Sequence, residues 1–198
     1  GTFAEFVPVP VEFVTRRPPS MDDALGAALP CVGVTAVTMC DLACVGRGAS
    51  VLVNGASGGV GHLAVQVAKW RGALVAATAS TARCEFVTAL GADTFIDYRA
   101  EPQEHWPMAF DAVLDCVPNL PRRSHRRLLR RGGHYASTLP TAWTYTLDPL
   151  LNRAGRVVRH AVMLRPNAAA MTELFEMHAA GRLRCEIAGE FALEEAAR

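Results

Sequence analysis

Lysine is almost absent from this 198-residue sequence, since 19 of its 20 basic residues are arginines and only Lys69 is a lysine. The 19 acidic residues bring the net charge to +1, so no overall field attracts nucleic acid or a membrane surface. The six cysteines form no Cys-x-x-Cys pair, which speaks against a structural zinc knuckle. We interpret them as reduced, mostly buried thiols of a cytoplasmic protein.

Long apolar runs are also lacking. The longest run, residues 60–67, is interrupted by Gly61, His62 and Gln66, and it falls short of the roughly 18–20 residues that span a bilayer. Residues 1–10 have neither a basic start nor an apolar centre, so we expect no signal peptide. A composition of 51% hydrophobic and 20% charged residues fits one globular domain of doubly wound size.

Short apolar segments alternate with helix-forming segments along the chain. Apolar segments without period-two alternation predict strands buried on both faces, at residues 51–53, 74–79, 94–96, 112–114, 134–137 and 157–163. The segments between and around them predict helices at residues 21–28, 35–42, 63–70, 82–90, 120–129 and 167–180. Ser20 is expected to cap the first helix and Pro30 to end it. The alternation predicts an α/β fold, a doubly wound parallel-sheet Rossmann domain with helices on both faces.

A glycine-rich turn follows the first predicted strand, where Gly55, Gly58 and Gly61 are spaced Gly-x-x-Gly-x-x-Gly. The chain there must turn sharply, approach a pyrophosphate without a Cβ in the way, and pack the next helix closely. Free N–H groups at the helix N-terminus favour phosphate, and Ser57 can add a hydroxyl donor. The pattern predicts a dinucleotide-binding loop, with a merely tight turn as the alternative.

The end of the second predicted strand distinguishes NADP from NAD. NAD-specific folds place an acidic residue there to bind the ribose 2′-hydroxyl, but residues 73–84 contain no Asp or Glu. They offer Thr78, Ser80, Thr81 and Arg83 instead, and arginine can bind a 2′-phosphate through two hydrogen bonds. NADP(H) is therefore the predicted cofactor, and the alternative is that Arg83 is an ordinary solvated residue.

The scarcity of lysine separates two families that fit the glycine loop. Short-chain dehydrogenases need Tyr-x-x-x-Lys, but Val65 stands four residues before Lys69, so that family is excluded. Four other segments are AALPCVGVTA at residues 27–36, GASVLVNGASGGVG at 48–61, LGAD at 90–93 and IDY at 96–98. Together they resemble the zinc-independent quinone oxidoreductase and enoyl reductase branch of the medium-chain dehydrogenase/reductase superfamily.

This resemblance implies a cofactor role for ten residues. They are Thr35 beside the nicotinamide; Ser57, Gly58, Gly59 and Val60 at the pyrophosphate; Ser80, Arg83 and Tyr98 around the 2′-phosphate and adenosine ribose; and Cys116 and Leu139 at the adenine or nicotinamide ribose. Two alternatives remain open, because Tyr98 is also explained as an edge aromatic and Cys116 as a core residue. His62, in the first turn of the next helix, is expected to be a polar surface residue.

The resemblance also implies that the chain has three parts. Residues 1–19 would connect from a missing N-terminal, GroES-like catalytic domain, residues 20–181 would form the NADP-binding Rossmann domain, and residues 182–198 would begin the return to the catalytic domain. The resemblance therefore implies that the chain is truncated at both ends. The catalytic residues are expected mainly in the missing domain, and no convincing general acid stands out here, so we expect the chain to be inactive alone.

The implied reaction is hydride transfer from NADPH to a small-molecule substrate, either a quinone or an activated C=C in an α,β-unsaturated carbonyl or enoyl thioester. The parent enzyme would be zinc-independent, with no metal site in this chain. The alternative is a non-catalytic nucleotide-binding module with a redox-sensing or structural role. In this branch the sixth strand often pairs subunits, so residues 157–163 are a candidate homodimer edge.

Six arginines lie within ten residues on the predicted helix that ends near residue 129. At helical spacing they form one broad cationic face, built from Arg122, Arg123, Arg126, Arg127, Arg130 and Arg131. The face fits a solvated surface or a docking site for an acidic carrier protein. Neutral net charge and the lack of interleaved aromatic residues speak against nucleic acid.

Overall fold

The computed structural model describes residues 4–139, 148, 152, 157–163 and 165–195. In that part of the chain the strands are β1 (Ser50–Asn54), β2 (Leu74–Ala79), β3 (Thr94–Asp97), β4 (Phe110–Asp115), β5 (Leu129–Ser137) and β6 (Val157–Ala161). The helices are α1 (Asp23–Leu42), α2 (Gly59–Trp70), α3 (Cys84–Ala89), α4 (Arg122–Leu128) and α5 (Ala168–Ala179). Short 3-10 turns lie at Val11–Phe13, Thr81–Arg83, Gln103–His105 and Leu193–Glu195.

The six strands form one parallel sheet in the order β3-β2-β1-β4-β5-β6. The chain moves outward from β1 to β3, then crosses back to place β4 on the other side of β1. In sheets of this order, ligands bind at the carboxyl ends of the strands, where the direction of winding reverses. The predicted Rossmann fold with helices on both faces is confirmed.

Alternate residues of the central strands face two separate cores, as the period of a strand requires. On one face, Val51 and Val53 pack against α1, α2, α3 and α5. On the other face, Leu52 packs with Leu128 of α4 and with Trp106. Because helices cover both faces of the sheet, the strand sequences are continuous apolar runs. Such runs are the reason that the sequence predicts a parallel sheet.

Helix α1 runs without a break through Pro30, so the prediction that Pro30 ends a helix is wrong. A proline inside a helix loses one N–H···O=C bond, and the packing of α1 on α2 and α5 offsets this cost. The expected cap at Ser20 is also wrong. Asp22 caps the helix, because its carboxylate accepts a hydrogen bond from the Leu25 N–H at 2.7 Å.

The 20-residue helix α1 contains an 18-residue stretch with a mean hydropathy of 1.6, so it has the length and composition of a membrane-spanning helix. A search of the sequence for uninterrupted apolar runs alone does not identify this segment. In the structure, Leu29 and Met39 of this helix are completely buried in the core. This is the environment of a core helix in a globular domain, and core helices pass the same test of length and composition.

Helix α4 ends at Leu128, so the predicted helix over residues 120–129 is too long at its C-terminus, and Arg130 and Arg131 lie on β5. Leu129 pairs with Phe110 of β4, and both side chains are buried. Burial in the sheet therefore outweighs the helical preference of the sequence. The six arginines do not form one helical face, and the predicted docking site for an acidic carrier protein loses its basis.

Several of these arginines bind groups within the chain. Arg122 forms an ion pair with Asp148 at 2.7 Å, and Arg130 forms one with Asp111 at 2.5 Å. Arg127 donates to the backbone carbonyls of residues 103, 104 and 106. These contacts give the arginines a structural role at the second face of the sheet.

The cysteines differ from the expectation of mostly buried thiols. All six are free, but only Cys40 is buried, whereas Cys31 and Cys44 are exposed and the other three are half-buried. Burial raises the pKa of the Cys40 thiol to about 12. Cys40 is therefore an uncharged core residue at neutral pH, which is typical of a buried thiol with no chemical role.

Candidate functional site

The glycine loop between β1 and α2 depends on the absence of side chains at its two ends. Gly55 has φ = +78°, and a Cβ there would overlap the side chain of Val117. A Cβ at Gly61 would overlap the carbonyl oxygen of Gly55 and also approach Ala56. The first glycine therefore permits the sharp turn, and the last lets α2 pack directly against the end of β1.

The middle of the loop is open. A Cβ at Gly58 would meet only the Gly55 carbonyl oxygen at 3.4 Å, and one at Gly59 only Val32 at 3.5 Å. Ser57, Gly58 and Gly59 are exposed. Gly58 is the residue before α2, and no side chain caps the helix, so the first N–H groups of α2 are free to bind an anion.

Polar side chains beneath the loop join the ends of three strands. Asn54 donates from Nδ2 to Asp115 at 2.7 Å and accepts at Oδ1 from the Thr78 hydroxyl at 2.8 Å. Thr78 Oγ1 in turn accepts from the Gly55 N–H at 3.0 Å. All three side chains are almost completely buried, so these hydrogen bonds fix where the loop leaves the sheet.

The buried carboxylate of Asp115 has a second donor on β5, because the Tyr135 hydroxyl donates to it at 2.6 Å. Burial, together with the charge of Asp115, raises the pKa of Tyr135, so this hydroxyl stays a donor. The His125 ring stacks on Tyr135 with centroids 3.6 Å apart. Burial, with a contribution from Arg159, lowers the pKa of His125 to about 4, so the ring is neutral at pH 7.

Pairing of β2 with β3 brings the residues predicted for the 2′-phosphate to one edge of the sheet. Ala79, the last residue of β2, pairs with Asp97 of β3. Ser80 follows β2 and is half-buried, whereas Arg83 and Tyr98 are exposed. Their assignment to the cofactor stays a prediction.

Asp97 is a functional candidate that the search for an acid on the second strand missed. Its carboxylate accepts hydrogen bonds from the Thr81 hydroxyl and from the Arg99 N–H. The bond from Thr81 is the main cause that holds the pKa of Asp97 below its ordinary value. The Arg99 guanidinium lies 5.7 Å from the centre of the Tyr98 ring. Only the pairing of β2 with β3 could have identified Asp97. The residue lies 18 positions after Ala79 in the sequence, but the two residues are neighbours in the sheet.

Helix α1 passes between the loop and the end of β4. A Cβ added at Gly59 of the loop would lie 3.5 Å from Val32, and Met39 Sδ lies 4.0 Å from Cys116 Sγ. Thr35 lies between these contacts on the same helix face. It is 8% exposed, and its hydroxyl donates to a carbonyl one turn earlier at 2.7 Å.

Cys116 and Leu139 follow neighbouring strands. The Thr138 N–H donates to the Asp115 carbonyl at 3.4 Å, which holds the two loops side by side. Burial raises the pKa of the Cys116 thiol, so the side chain of this residue is uncharged at neutral pH. Leu139 is 54% exposed, which leaves its side chain accessible at this edge.

His62 is buried, contrary to the expectation of a surface residue. Only 3% of it is exposed, and its Nδ1 lies 2.9 Å from the carbonyl oxygen of Gly58 in the glycine loop. Its Nε2 accepts from the Glu186 N–H at 3.3 Å. The sequence position suggested a solvent-facing turn, but residues near 186 fold back over this part of α2.

Residues 90–198 match the family model described as zinc-binding dehydrogenase. The match covers just over half of the chain. This chain belongs to the zinc-binding dehydrogenases of the medium-chain dehydrogenase/reductase superfamily. Among the residues that the structure describes, no group of three or more His, Cys, Asp or Glu side chains could hold a metal ion.

Relatives of this dehydrogenase chain confirm the resemblance to the quinone oxidoreductase branch. The chloroplast envelope quinone oxidoreductase homolog of Arabidopsis thaliana is 31% identical over 99% of this chain and 63% of its own length. The NADPH-dependent alkenal/one oxidoreductase of the same plant is 39% identical over 59% of this chain and 31% of its own length. The quinone oxidoreductase structure from Coxiella burnetii superposes with a TM-score of 0.81 at 30% identity, covering 92% of this chain and 57% of that one. The chain thus spans less than two thirds of each relative.

We expect Gly61→Ala to destabilise the fold, because its Cβ would displace α2 from β1. The predicted loss in free energy of unfolding is about 1–3 kcal/mol, the usual cost of overpacking, measured by urea denaturation. Gly46→Ala is the matched control, since a Cβ at Gly46 would meet nothing within 4 Å. Equal urea midpoints for the two variants would contradict this account of the loop.

The low pKa of His125 predicts acid sensitivity. Between its ordinary value of 6.5 and about 4, the unfolded chain binds a proton that the folded chain excludes, so stability falls as the pH is lowered through this window. From pH 7.5 to pH 5 this residue should remove about 2 kcal/mol of the free energy of unfolding. His125→Phe keeps a ring that can stack on Tyr135. Its free energy of unfolding should therefore fall by about 2 kcal/mol less than that of the wild type between pH 7.5 and pH 5.

Urea denaturation at the two pH values measures this difference. His105→Phe is the control for the substitution itself, because it makes the same replacement at an exposed histidine. The assignment fails if His125→Phe keeps the full pH dependence of the wild type.

Proposed function

We propose that this chain is the NADP(H)-binding part of an oxidoreductase that transfers a hydride from NADPH to a quinone or to an activated C=C of an α,β-unsaturated carbonyl or enoyl thioester. The observation that carries the proposal is the glycine loop at the reversal point of the sheet. Its exposed backbone and the free N–H groups of α2 fit a pyrophosphate. A side chain at either end of the loop would remove this fit.

The names of the relatives support the reaction class. One is an NADPH-dependent alkenal/one oxidoreductase, and two are quinone oxidoreductases or homologs of them. Alkenals and alkenones contain the activated C=C that the proposal names. Zinc independence belongs to the same proposal and rests on the resemblance to the zinc-independent branch.

Each predicted residue has a proposed task that its position allows. Ser57, Gly58, Gly59 and Val60 bind the pyrophosphate; Ser80, Arg83 and Tyr98 bind the 2′-phosphate and adenosine ribose; Thr35 lies beside the nicotinamide; and Cys116 and Leu139 line the adenine or nicotinamide ribose. Because the hydroxyl of Thr35 is held by its own helix, this residue contributes a fixed surface to the nicotinamide. The bound cofactor supplies the hydride, and the chain holds and orients it.

Reduction of an α,β-unsaturated carbonyl builds negative charge on the carbonyl oxygen, which needs hydrogen-bond donors. We propose that these donors come from the part of the parent protein that lies outside this chain, as the resemblance implies. The chain alone would then bind NADPH without turning it over. A homodimer through residues 157–163 and a cytoplasmic location stay predictions, although β6 does form the outer end of the sheet.

The proposed preference for NADPH depends on Arg83, whose exposed side chain makes no hydrogen bond or ion pair with the described residues. We expect the chain to bind NADPH more tightly than NADH, and Arg83→Ala to weaken NADPH about tenfold, or roughly 1.4 kcal/mol. NADH binding should not change, because NADH lacks the 2′-phosphate. Titration followed by nicotinamide fluorescence measures all four affinities.

Arg131→Ala is the control for a general loss of positive charge, since Arg131 is exposed on β5, three strands away from β2 in the sheet. It should leave both affinities unchanged. A preference for NADH would contradict the NADP assignment and would make Asp97 the residue that binds the ribose. Binding of neither nucleotide would favour a structural module.

A further inference from the structure

Residues 183–186 lie along α2 and pair with side chains of the helix rather than with a strand. The Gln66 amide donates to the Arg184 carbonyl at 2.8 Å and accepts from the Arg184 N–H at 2.7 Å. Two residues later, the Glu186 N–H donates to His62 Nε2 at 3.3 Å. Gln66 and His62 thus bind the backbone of this segment as a neighbouring strand would.

Both side chains are buried, with 6% of Gln66 and 3% of His62 exposed. The neighbouring residues Leu183 and Cys185 pack partly into the core. The docked segment supplies hydrogen-bond partners to the polar atoms of both side chains, as buried polar groups require. The docked arrangement of residues 183–186 is therefore favoured.

The contacts also fix the tautomer of His62. Its Nδ1 lies 2.9 Å from the Gly58 carbonyl oxygen, and because a carbonyl can only accept, Nδ1 carries the proton. The lone pair of Nε2 is then available to the Glu186 N–H. His62 thus accepts a hydrogen bond from the C-terminal segment and donates one to the glycine loop.

The Gly58 carbonyl belongs to the same peptide group as the Gly59 N–H, the first free donor of α2. Both the backbone N–H of His62, at 3.0 Å, and its ring N–H donate to this carbonyl. Hydrogen bonds in a chain polarise one another. Donation from His62 therefore strengthens the Gly59 N–H as a donor to phosphate.

We propose that His62 is a positioning residue that couples phosphate binding at the glycine loop to the docking of residues 183–186. The coupling rests on the proposed function, because it needs a nucleotide phosphate at the loop. It is reciprocal, so the nucleotide strengthens docking by the same factor by which docking strengthens nucleotide binding. The segment leads to exposed apolar residues, Ile187, Phe191 and Leu193, so the nucleotide also fixes the direction in which the chain continues.

Amide hydrogen exchange of the 198-residue chain, measured by NMR with and without saturating NADPH, tests the coupling directly. We expect NADPH to slow exchange of the Glu186 amide about fivefold, the lower end of typical coupling factors. The Ala180 amide is the internal reference, since it bonds to Glu176 within its own helix end and should not respond.

Two substitutions separate coupling from simple support of the segment. His62→Phe keeps an aromatic ring but removes both hydrogen bonds, so NADPH should bind about fivefold more weakly and should no longer slow exchange at Glu186. Gln66→Met is the matched control. It should speed exchange at Arg184 in both states and leave the effect of NADPH on Glu186 in place.

The outcomes distinguish the two proposals. NADPH binding with no change at Glu186 in the wild type, or with an equal change in His62→Phe, would overturn the coupling and leave the proposed function intact. Binding of no nicotinamide nucleotide by the wild type would overturn the proposed function and the coupling with it. The wild-type comparison needs no substitution, so it decides the question even where a variant fails to fold.

Discussion

The carbonyl oxygen of Gly55 fills the space that a Cβ on residue 61 would need. Only glycine at residue 61 lets α2 begin directly over the end of β1, and the rest of the site depends on this close approach. It places the free N–H groups of α2 beside an exposed loop at the reversal point of the sheet. It also brings His62, in the first turn, within reach of both the loop and the segment near residue 186.

A second constraint lies beneath the loop, where the charge of Asp115 is completely buried. Neutral donors solvate it, namely the Asn54 amide, the Tyr135 hydroxyl and the Leu120 N–H. Because these donors come from β1, from β5 and from the turn after β4, the carboxylate ties together the strand ends that surround the reversal point. A buried charge held in this way tolerates little movement, so the base of the site is rigid.

The sequence predicts the features that depend on neighbouring residues. The apolar runs predict a parallel sheet, and the spacing of Gly55, Gly58 and Gly61 predicts the loop, since each pattern has a local steric cause. Features that depend on distant partners were missed. Pro30 stays helical because α1 packs along its length, Leu129 joins β5 because β4 offers a buried partner, and the contacts of His62 and Asp97 come from segments far away in sequence.

We propose that NADP(H) binds across the glycine loop and the end of β2. Titration of the 15N-labelled chain with NADP+, followed by amide chemical shifts, tests it most directly. The account predicts the largest shifts at residues 57–60 and 80–83, with saturation at a single affinity. Largest shifts confined to other parts of the chain, or no shifts at all, would contradict it.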